Sequence, residues 1–174
     1  LQAILDVAVF RKLAVPGQPH LTMGVIVSGG ARYLNKEVIN QTRVTRKQFD
    51  TVFNSEIMEL QRRERLYRVN RELTDISYAT VMLVDDGMTS IDTIYSVAMA
   101  LRAKHPKRIV AALPVAPIDA AVRLGEAVDD FECVYSPADF QSADQYYKSF
   151  DEVEEKTAGE LYLRVVSGQV AHAR

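Results

Sequence analysis

The chain has 174 residues, of which 48% are apolar and 25% charged, the composition of an ordinary globular protein. This length predicts one domain, so we expect residues 1–174 to fold as a single unit. The net charge of −2 gives no reason to expect nucleic acid as a main partner. No apolar run approaches the ~20 residues that span a bilayer, and a lone cysteine, Cys133, excludes an internal disulfide.

The first 34 residues carry the pattern of short strands. The apolar run of residues 4–10 predicts a buried strand that ends at Arg11 and Lys12. Proline and glycine in residues 15–20 predict a loop. Residues 23–27 and 31–34 flank a Ser-Gly-Gly turn, which predicts a hairpin.

A long amphipathic helix is predicted from Thr45, because Thr45 and Gln48 have the spacing of a capping box. Its apolar side chains fall on one face, at Phe49, Val52, Phe53, Ile57 and Leu60. The highly charged residues 62–65 near its end predict a solvated helix face, and positive charge there suits the helix dipole.

From residue 80 the pattern alternates between apolar strands and amphipathic helices. The strands are predicted at residues 81–84, 109–115 and 131–135. Such alternation predicts an α/β fold whose parallel sheet is covered by helices on both faces. After Pro137 the chain is more polar, and we expect it to be helical, with aromatic side chains at Phe140, Tyr146, Tyr147 and Phe150.

The segment between the strand at 81–84 and the following helix carries the groups best suited to chemistry. In open α/β sheets, ligands bind beyond the carboxyl ends of the strands, where Asp85 and Asp86 would lie. Backbone N–H groups at a helix start, with two hydroxyls in residues 90–93, would form a cradle for a phosphate. An ordinary strand-to-helix loop with an Asp or Ser cap is the alternative interpretation.

The sequence Val-Met-Leu-Val-Asp-Asp-Gly at residues 81–87, a Thr/Ser-rich turn and a helix resemble the phosphoribosyl pyrophosphate signature of type I phosphoribosyltransferases. Residues 6–13, 34–37, 62–68 and 113–117 resemble, in chain order, the corresponding stretches of a bacterial-type branch. The resemblance implies a parallel-sheet core with a small hood. It also implies a first core strand and a pyrophosphate loop upstream of Leu1, so we expect the chain to begin inside the domain.

The resemblance also implies roles for individual residues. Asp85, Asp86 and Gly87 match the ribose-binding part of the signature, and the two carboxylates would hold Mg²⁺ through its water shell. The resemblance leaves the group that would exchange protons with the base unknown, since Thr89 stands where some relatives carry an acidic residue.

Two further groups would bind the phosphates of the substrate. Ser90, Asp92 and Thr93 occupy the loop that binds the 5′-phosphate in the family. Arg11 and Lys12 follow a predicted core strand, where they would neutralise pyrophosphate or form a solvated basic pair.

Several residues depart from the family pattern, in which the phosphate loop is usually Thr-Gly-x-Thr. Here Ile91 replaces the glycine and Asp92 places a carboxylate beside the phosphate. Downstream, Asp144 and Tyr146 stand where relatives tend to have Gly and Trp.

Three functions follow from these observations. The first is an enzyme that transfers phosphoribose from phosphoribosyl pyrophosphate, with Mg²⁺, to a nitrogenous base and releases pyrophosphate. The second is a catalytically degenerate binding or structural subunit of a larger assembly. The third is a nucleotide-sensing regulator that binds RNA through the basic residues 62–68.

The resemblance also leads to expectations about the assembly and the location of the protein. Homodimers are common in the family, so a homodimer is expected if the protein is not part of a larger complex. The expected location is the cytoplasm, or an organelle matrix or stroma if a targeting segment has been removed. The acceptor base is left open by the sequence.

Overall fold

A computed structural model describes residues 3–68, 71–87, 89–151 and 153–168. Its strands and helices are, in chain order, β1 (Phe10–Val15), β2 (Gln18–Val27), β3 (Ala31–Leu34), α1 (Lys36–Thr42), α2 (Arg46–Arg68), β4 (Thr80–Val84), α3 (Ile91–Arg102), β5 (Arg108–Val115), α4 (Ala120–Leu124), β6 (Asp130–Tyr135) and α5 (Glu155–Val166). Within these ranges no helix is long and apolar enough to cross a membrane.

The first three strands form an antiparallel sheet in the order β1-β2-β3. The predicted hairpin at residues 23–34 is confirmed as β2 and β3. The predicted loop at residues 15–20 is wrong in extent, because Val15 pairs with Gln18 and only Pro16 and Gly17 form the turn. Gly17 makes so short a turn possible, since its φ of 77° is unfavourable for other residues.

The prediction of a buried strand at residues 4–10 is wrong for most of its length. Only Phe10 belongs to a strand, and the side chain of Ile4 is 79% exposed. Among the described residues this segment has no ladder partner, so its apolar character alone does not make a strand. At its end, the Val9 carbonyl accepts a hydrogen bond from the Ser28 N–H over 2.9 Å.

Helix α2 begins where the capping box predicts. The Thr45 N–H donates to Gln48 Oε1 over 2.9 Å, and the Gln48 N–H donates to Thr45 Oγ1 over 3.3 Å. Its apolar face packs on one side of the antiparallel sheet, in a core that includes Leu13, Met23 and Leu60. The basic residues near its end are ion-paired, since Arg62 and Arg63 both contact Glu59 and Glu155.

The second sheet is parallel, in the order β4-β5-β6, which confirms the predicted α/β fold class. Helix α3 packs against one face of this sheet and also contacts β2 and β3. The central strand β5 buries Ile109, Ala111 and Leu113 almost completely. These contacts place the start of α3 beside the carboxyl ends of β4 and β5.

The opposite face of the parallel sheet is open, so the predicted helical cover on both faces is wrong for the described residues. Val84 in β4 is 67% exposed and Val134 in β6 is 87% exposed. β4 pairs only with β5 in the described sheet, which leaves its other edge unpaired. A cavity of about 700 Å³ lies between this edge and the segment of residues 3–8.

After Pro137 the chain is less helical than predicted. A short 3₁₀ turn covers Ala143–Tyr146, and the α-helix follows later as α5. None of the four aromatic residues that we expected on a helix lies in α5. Instead, their rings pack on one another, with 6.1 Å between the ring centroids of Phe140 and Tyr146 and 4.9 Å between those of Tyr147 and Phe150.

Asp6 connects four separate parts of the chain through one carboxylate. It accepts hydrogen bonds from the Thr74 N–H over 3.0 Å and from the Tyr162 hydroxyl over 3.2 Å. Arg68 Nη1 lies 3.0 Å from Asp6 Oδ1, and Arg68 Nη2 donates to the Val7 carbonyl over 2.8 Å. Because Arg68 is buried, its charge depends on this carboxylate for compensation.

We expect Asp6→Asn to lower the free energy of unfolding at pH 7 by about 3 kcal/mol, because it leaves a buried guanidinium uncompensated. Burial raises the pKa of Asp6, but hydrogen bonds from Thr74 and Val7 and the charge of Arg68 outweigh it, so the pKa lies below the usual 3.8. Stability from this group is therefore present above pH ~4 and is lost as the pH falls through the lowered folded pKa. Denaturant unfolding from pH 7 to pH 2 measures the effect.

The matched control is Asp50→Asn, which removes an exposed pair with Arg46. It should change the free energy of unfolding by less than about 0.5 kcal/mol. A difference between wild type and Asp6→Asn that stays constant down to pH 2 would contradict the prediction.

Candidate functional site

The acidic loop lies where the parallel sheet ends. Residues 85–90 connect β4 to α3, and the Asp85 N–H donates to the Ala112 carbonyl of β5 over 3.4 Å. The loop therefore starts at the carboxyl edge of the sheet, where ligands bind in open α/β folds.

The side chain of Asp85 folds the loop. Its carboxylate accepts hydrogen bonds from the Gly87 N–H over 2.9 Å, the Thr89 N–H over 3.3 Å and the Thr89 hydroxyl over 2.8 Å. A carboxylate used in this way holds the backbone in a tight turn. Because the Thr89 hydroxyl donates to Asp85, it helps to hold the loop in this shape.

Gly87 is required by both its conformation and its surroundings. Its φ is 94°, in the region that favours glycine. A Cβ atom placed there would lie 2.7 Å from the Val115 carbonyl oxygen and 3.2 Å from Ala143 Cβ. The loop is thus held closely against the end of β5 and against the 3₁₀ turn.

Asp86 lies at the exposed surface of the loop, and its backbone is held by an aromatic residue. The Tyr147 hydroxyl donates to the Asp86 carbonyl over 2.7 Å. Burial raises the pKa of Tyr147, and the negative charges of Asp86 and Asp85 raise it further. The phenol therefore stays protonated at neutral pH and keeps its role as a donor.

The start of α3 is the segment where the sequence predicts a cradle for a phosphate. Ser90 caps the helix and is exposed, whereas Thr93 is buried beneath it. The two hydroxyl oxygens lie 2.8 Å apart, and the Thr93 N–H donates to Ser90 Oγ over 3.4 Å. Thr93 therefore orients Ser90, an exposed residue whose hydroxyl caps the helix.

Ile91 does not obstruct the start of α3. The Ile91 side chain is 4% exposed and packs in the core with residues of the parallel sheet. It points into the fold, so the β-branched side chain does not occupy the space in front of the helix start.

The side chain of Asp92 is held by a residue that the sequence analysis did not single out. Arg123 of α4 donates from Nη2 to Asp92 Oδ1 over 2.9 Å. The two residues are 31 positions apart, so no local pattern could have paired them.

The predicted pyrophosphate residues lie apart from the loop. Arg11 Nε contacts Glu56 Oε2 of α2 over 2.6 Å, and Lys12 is exposed. Both line a cavity of about 400 Å³, whereas Asp85 and Thr89 line the larger cavity along β4. The structure does not bring the basic pair together with the acidic loop, and a role in binding pyrophosphate stays a prediction.

Aromatic residues form a second feature of the site that the sequence analysis did not use. The ring centroids of Tyr135, at the carboxyl end of β6, and Tyr146 lie 5.5 Å apart. Tyr147 connects this region to the acidic loop through Asp86. A spacing of 61 residues separates Tyr147 from Asp86, so only the fold shows that they meet.

Asp85 and Asp86 of the acidic loop are the residues that the sequence predicts to hold a metal ion. Among the described residues, no group of three or more His, Cys, Asp or Glu side chains could bind an ion by itself. Mg²⁺ often keeps several waters and is bound by one or two carboxylates together with substrate phosphates. Asp85 and Asp86 fit that mode of binding, with the exposed Asp86 the more accessible.

Comparison with known proteins gives two kinds of likeness. No protein-family model matches the chain. Over 150 residues, or 86% of this chain, it is 35% identical to two Mycobacterium tuberculosis proteins, from strains CDC 1551 and H37Rv, each named putative phosphoribosyl transferase. The chain spans 34% of the length of these relatives.

A solved structure resembles the fold. The crystal structure of TT1426 from Thermus thermophilus matches with a TM-score of 0.77 and 27% identity. The match covers 91% of this chain and 75% of that one. The structural match fits a phosphoribosyltransferase-like α/β fold, and the named relatives support the resemblance to that family.

We expect Gly87→Ala to lower the free energy of unfolding by at least about 2 kcal/mol, because it adds a positive-φ penalty to a clash with the Val115 carbonyl. Gly17→Ala is the matched control, since Gly17 also has a positive φ but open space around its Cβ position. This control should cost about 1 kcal/mol. Chemical denaturation measures both variants. If both lose the same free energy of unfolding, the loop does not lie tightly against β5.

Proposed function

We propose that the protein binds phosphoribosyl pyrophosphate at the loop between β4 and α3 and transfers phosphoribose to a nitrogenous base. The observation that carries this proposal is the placement of Asp86 and Ser90 together at the exposed carboxyl edge of the parallel sheet. Asp86 offers a carboxylate for the ribose hydroxyls, and Ser90 offers a hydroxyl at a helix start for the 5′-phosphate. The names of the two mycobacterial relatives agree with it.

In this proposal the loop residues act mainly by position. Asp86 would accept hydrogen bonds from the ribose hydroxyls, and Asp85 would hold the loop in the shape that presents Asp86. Ser90 and the first N–H groups of α3 would bind the 5′-phosphate, with Thr93 orienting Ser90. Arg11 and Lys12 are proposed for pyrophosphate only on the family resemblance.

The reaction would break the C1′–O bond to pyrophosphate and form a C1′–N bond to the base. Positive charge develops on the ribose as the leaving group departs, so fixed carboxylates near the sugar would favour the transition state. Mg²⁺, when bound with the substrate, would neutralise pyrophosphate as it leaves. Holding both reactants in line supplies much of the remaining rate enhancement.

The aromatic residues near the loop favour a flat, aromatic acceptor. Tyr135, Tyr146 and Tyr147 lie at the same edge of the sheet as Asp86. Ring faces of this kind suit stacking by an aromatic base. A nitrogenous base is therefore the acceptor class that the surroundings fit best.

Substitutions of the two aspartates should differ in their effects on binding and on stability. Asp86→Asn should weaken phosphoribosyl pyrophosphate binding at least tenfold, and it should lower the free energy of unfolding by less than Asp85→Asn does, because Asp86 is exposed whereas Asp85 folds the loop. Asp85→Asn should weaken binding and also lower the free energy of unfolding by about 1–3 kcal/mol, because it disrupts the loop.

Calorimetric titration of the full-length protein with phosphoribosyl pyrophosphate and Mg²⁺ measures the affinity. Chemical denaturation measures the free energy of unfolding. Asp50→Asn, on the exposed face of α2, is the control for a lost carboxylate far from the loop. Absence of binding by wild type at millimolar ligand would contradict the enzyme proposal. The fold would then serve as a binding or structural subunit.

A further inference from the structure

The helix start that is proposed to bind the 5′-phosphate carries a negative charge of its own. Asp92 is the second residue of α3, next to Thr93 and two residues after the capping position Ser90. Its side chain is 79% exposed. Without a partner, this carboxylate would share the helix start with the 5′-phosphate.

The cost of such a charge can be estimated from Coulomb's law. Two unit charges 4 Å apart in bulk water repel enough to weaken binding about fivefold, and more where water is partly excluded. The helix dipole and one serine hydroxyl give a favourable interaction of similar size. An uncompensated Asp92 would therefore cancel much of what the helix start contributes.

The fold supplies the compensation from a different helix. Arg123 Nη2 lies 2.9 Å from Asp92 Oδ1, and Arg123 Nη1 lies 3.9 Å from Asp119 Oδ1. Leu124, the next residue, is fully buried in the core and so fixes α4 against α3. The guanidinium is thus held between two carboxylates at the side of the helix start.

We propose that Arg123 is a positioning residue for phosphate binding, which neutralises Asp92 and holds its carboxylate away from the Ser90–Thr93 turn. The inference rests on the proposed function, since it concerns the affinity of the same turn for the 5′-phosphate. An exposed ion pair adds little to folding stability, so its effect should be found in ligand affinity.

Four proteins test this inference by calorimetric titration with ribose 5-phosphate at low salt. They are the full-length wild type, Arg123→Met, Asp92→Asn and the double variant Asp92→Asn/Arg123→Met. Relative to wild type, Arg123→Met leaves one extra negative charge at the turn and should raise Kd about fivefold. Asp92→Asn leaves one extra positive charge and should lower Kd. The double variant restores the balance, so its Kd should lie within twofold of wild type.

Two further measurements separate positioning from a structural role. Asp119→Asn removes the other carboxylate beside Arg123 but leaves the helix start unchanged, so its Kd should stay within twofold of wild type. The loss of affinity in Arg123→Met should shrink as salt is raised, because exposed charges are screened. A loss caused by misfolding would be neither rescued by Asp92→Asn nor reduced by salt.

The outcomes distinguish this inference from the proposed function. Wild-type binding with an unchanged Kd in Arg123→Met would overturn the role of Arg123 and leave the phosphate site in place. A double variant as weak as Arg123→Met would also overturn it, because Arg123 would then act on the phosphate directly or on the fold. Absence of ribose 5-phosphate binding by wild type would overturn this inference, and absence of phosphoribosyl pyrophosphate binding as well would overturn the proposed function.

Discussion

The parallel sheet and the site at its edge both depend on the pairing of β5 with its two neighbours. β5 is hydrogen-bonded to β4 on one side and to β6 on the other. Its carboxyl end sets the position of Gly87 through the Val115 carbonyl, while Tyr135 at the end of β6 pairs in register with Val115. The acidic loop and the aromatic cluster therefore share one support, and a shift of β5 would move both.

Features that depend on neighbours in sequence could be predicted. The capping box of Thr45 and Gln48 sets the start of α2, and the alternation after residue 80 sets the parallel sheet, because each pattern is local. The strand at residues 4–10 could not be judged in this way, since a strand exists only with a partner. Whether helices cover both faces of the parallel sheet also depends on residues that are distant in sequence. The same holds for the fold of the chain after Pro137.

The candidate site shows the same division at the level of single residues. The sequence placed Asp85, Asp86 and Ser90 on one loop, and the structure does so as well. The sequence did not show that the Asp85 carboxylate folds the loop, nor that the Ile91 side chain is buried. Arg123 contacts Asp92 from 31 residues away and Tyr147 contacts Asp86 from 61 residues away, so neither contact could be predicted from neighbouring residues.

The unpaired edge of β4 has a practical consequence for handling this stretch of chain. Among the described residues no strand pairs with the side of β4 that borders the cavity, and the neighbouring sheet face carries exposed Met82 and Val84. An apolar strand edge of this kind is a template on which strands of other molecules can add. Unless the edge is covered, solutions of the polypeptide should become turbid as concentration rises, and solubility tags or charged substitutions at Met82 and Val84 are the rational remedy.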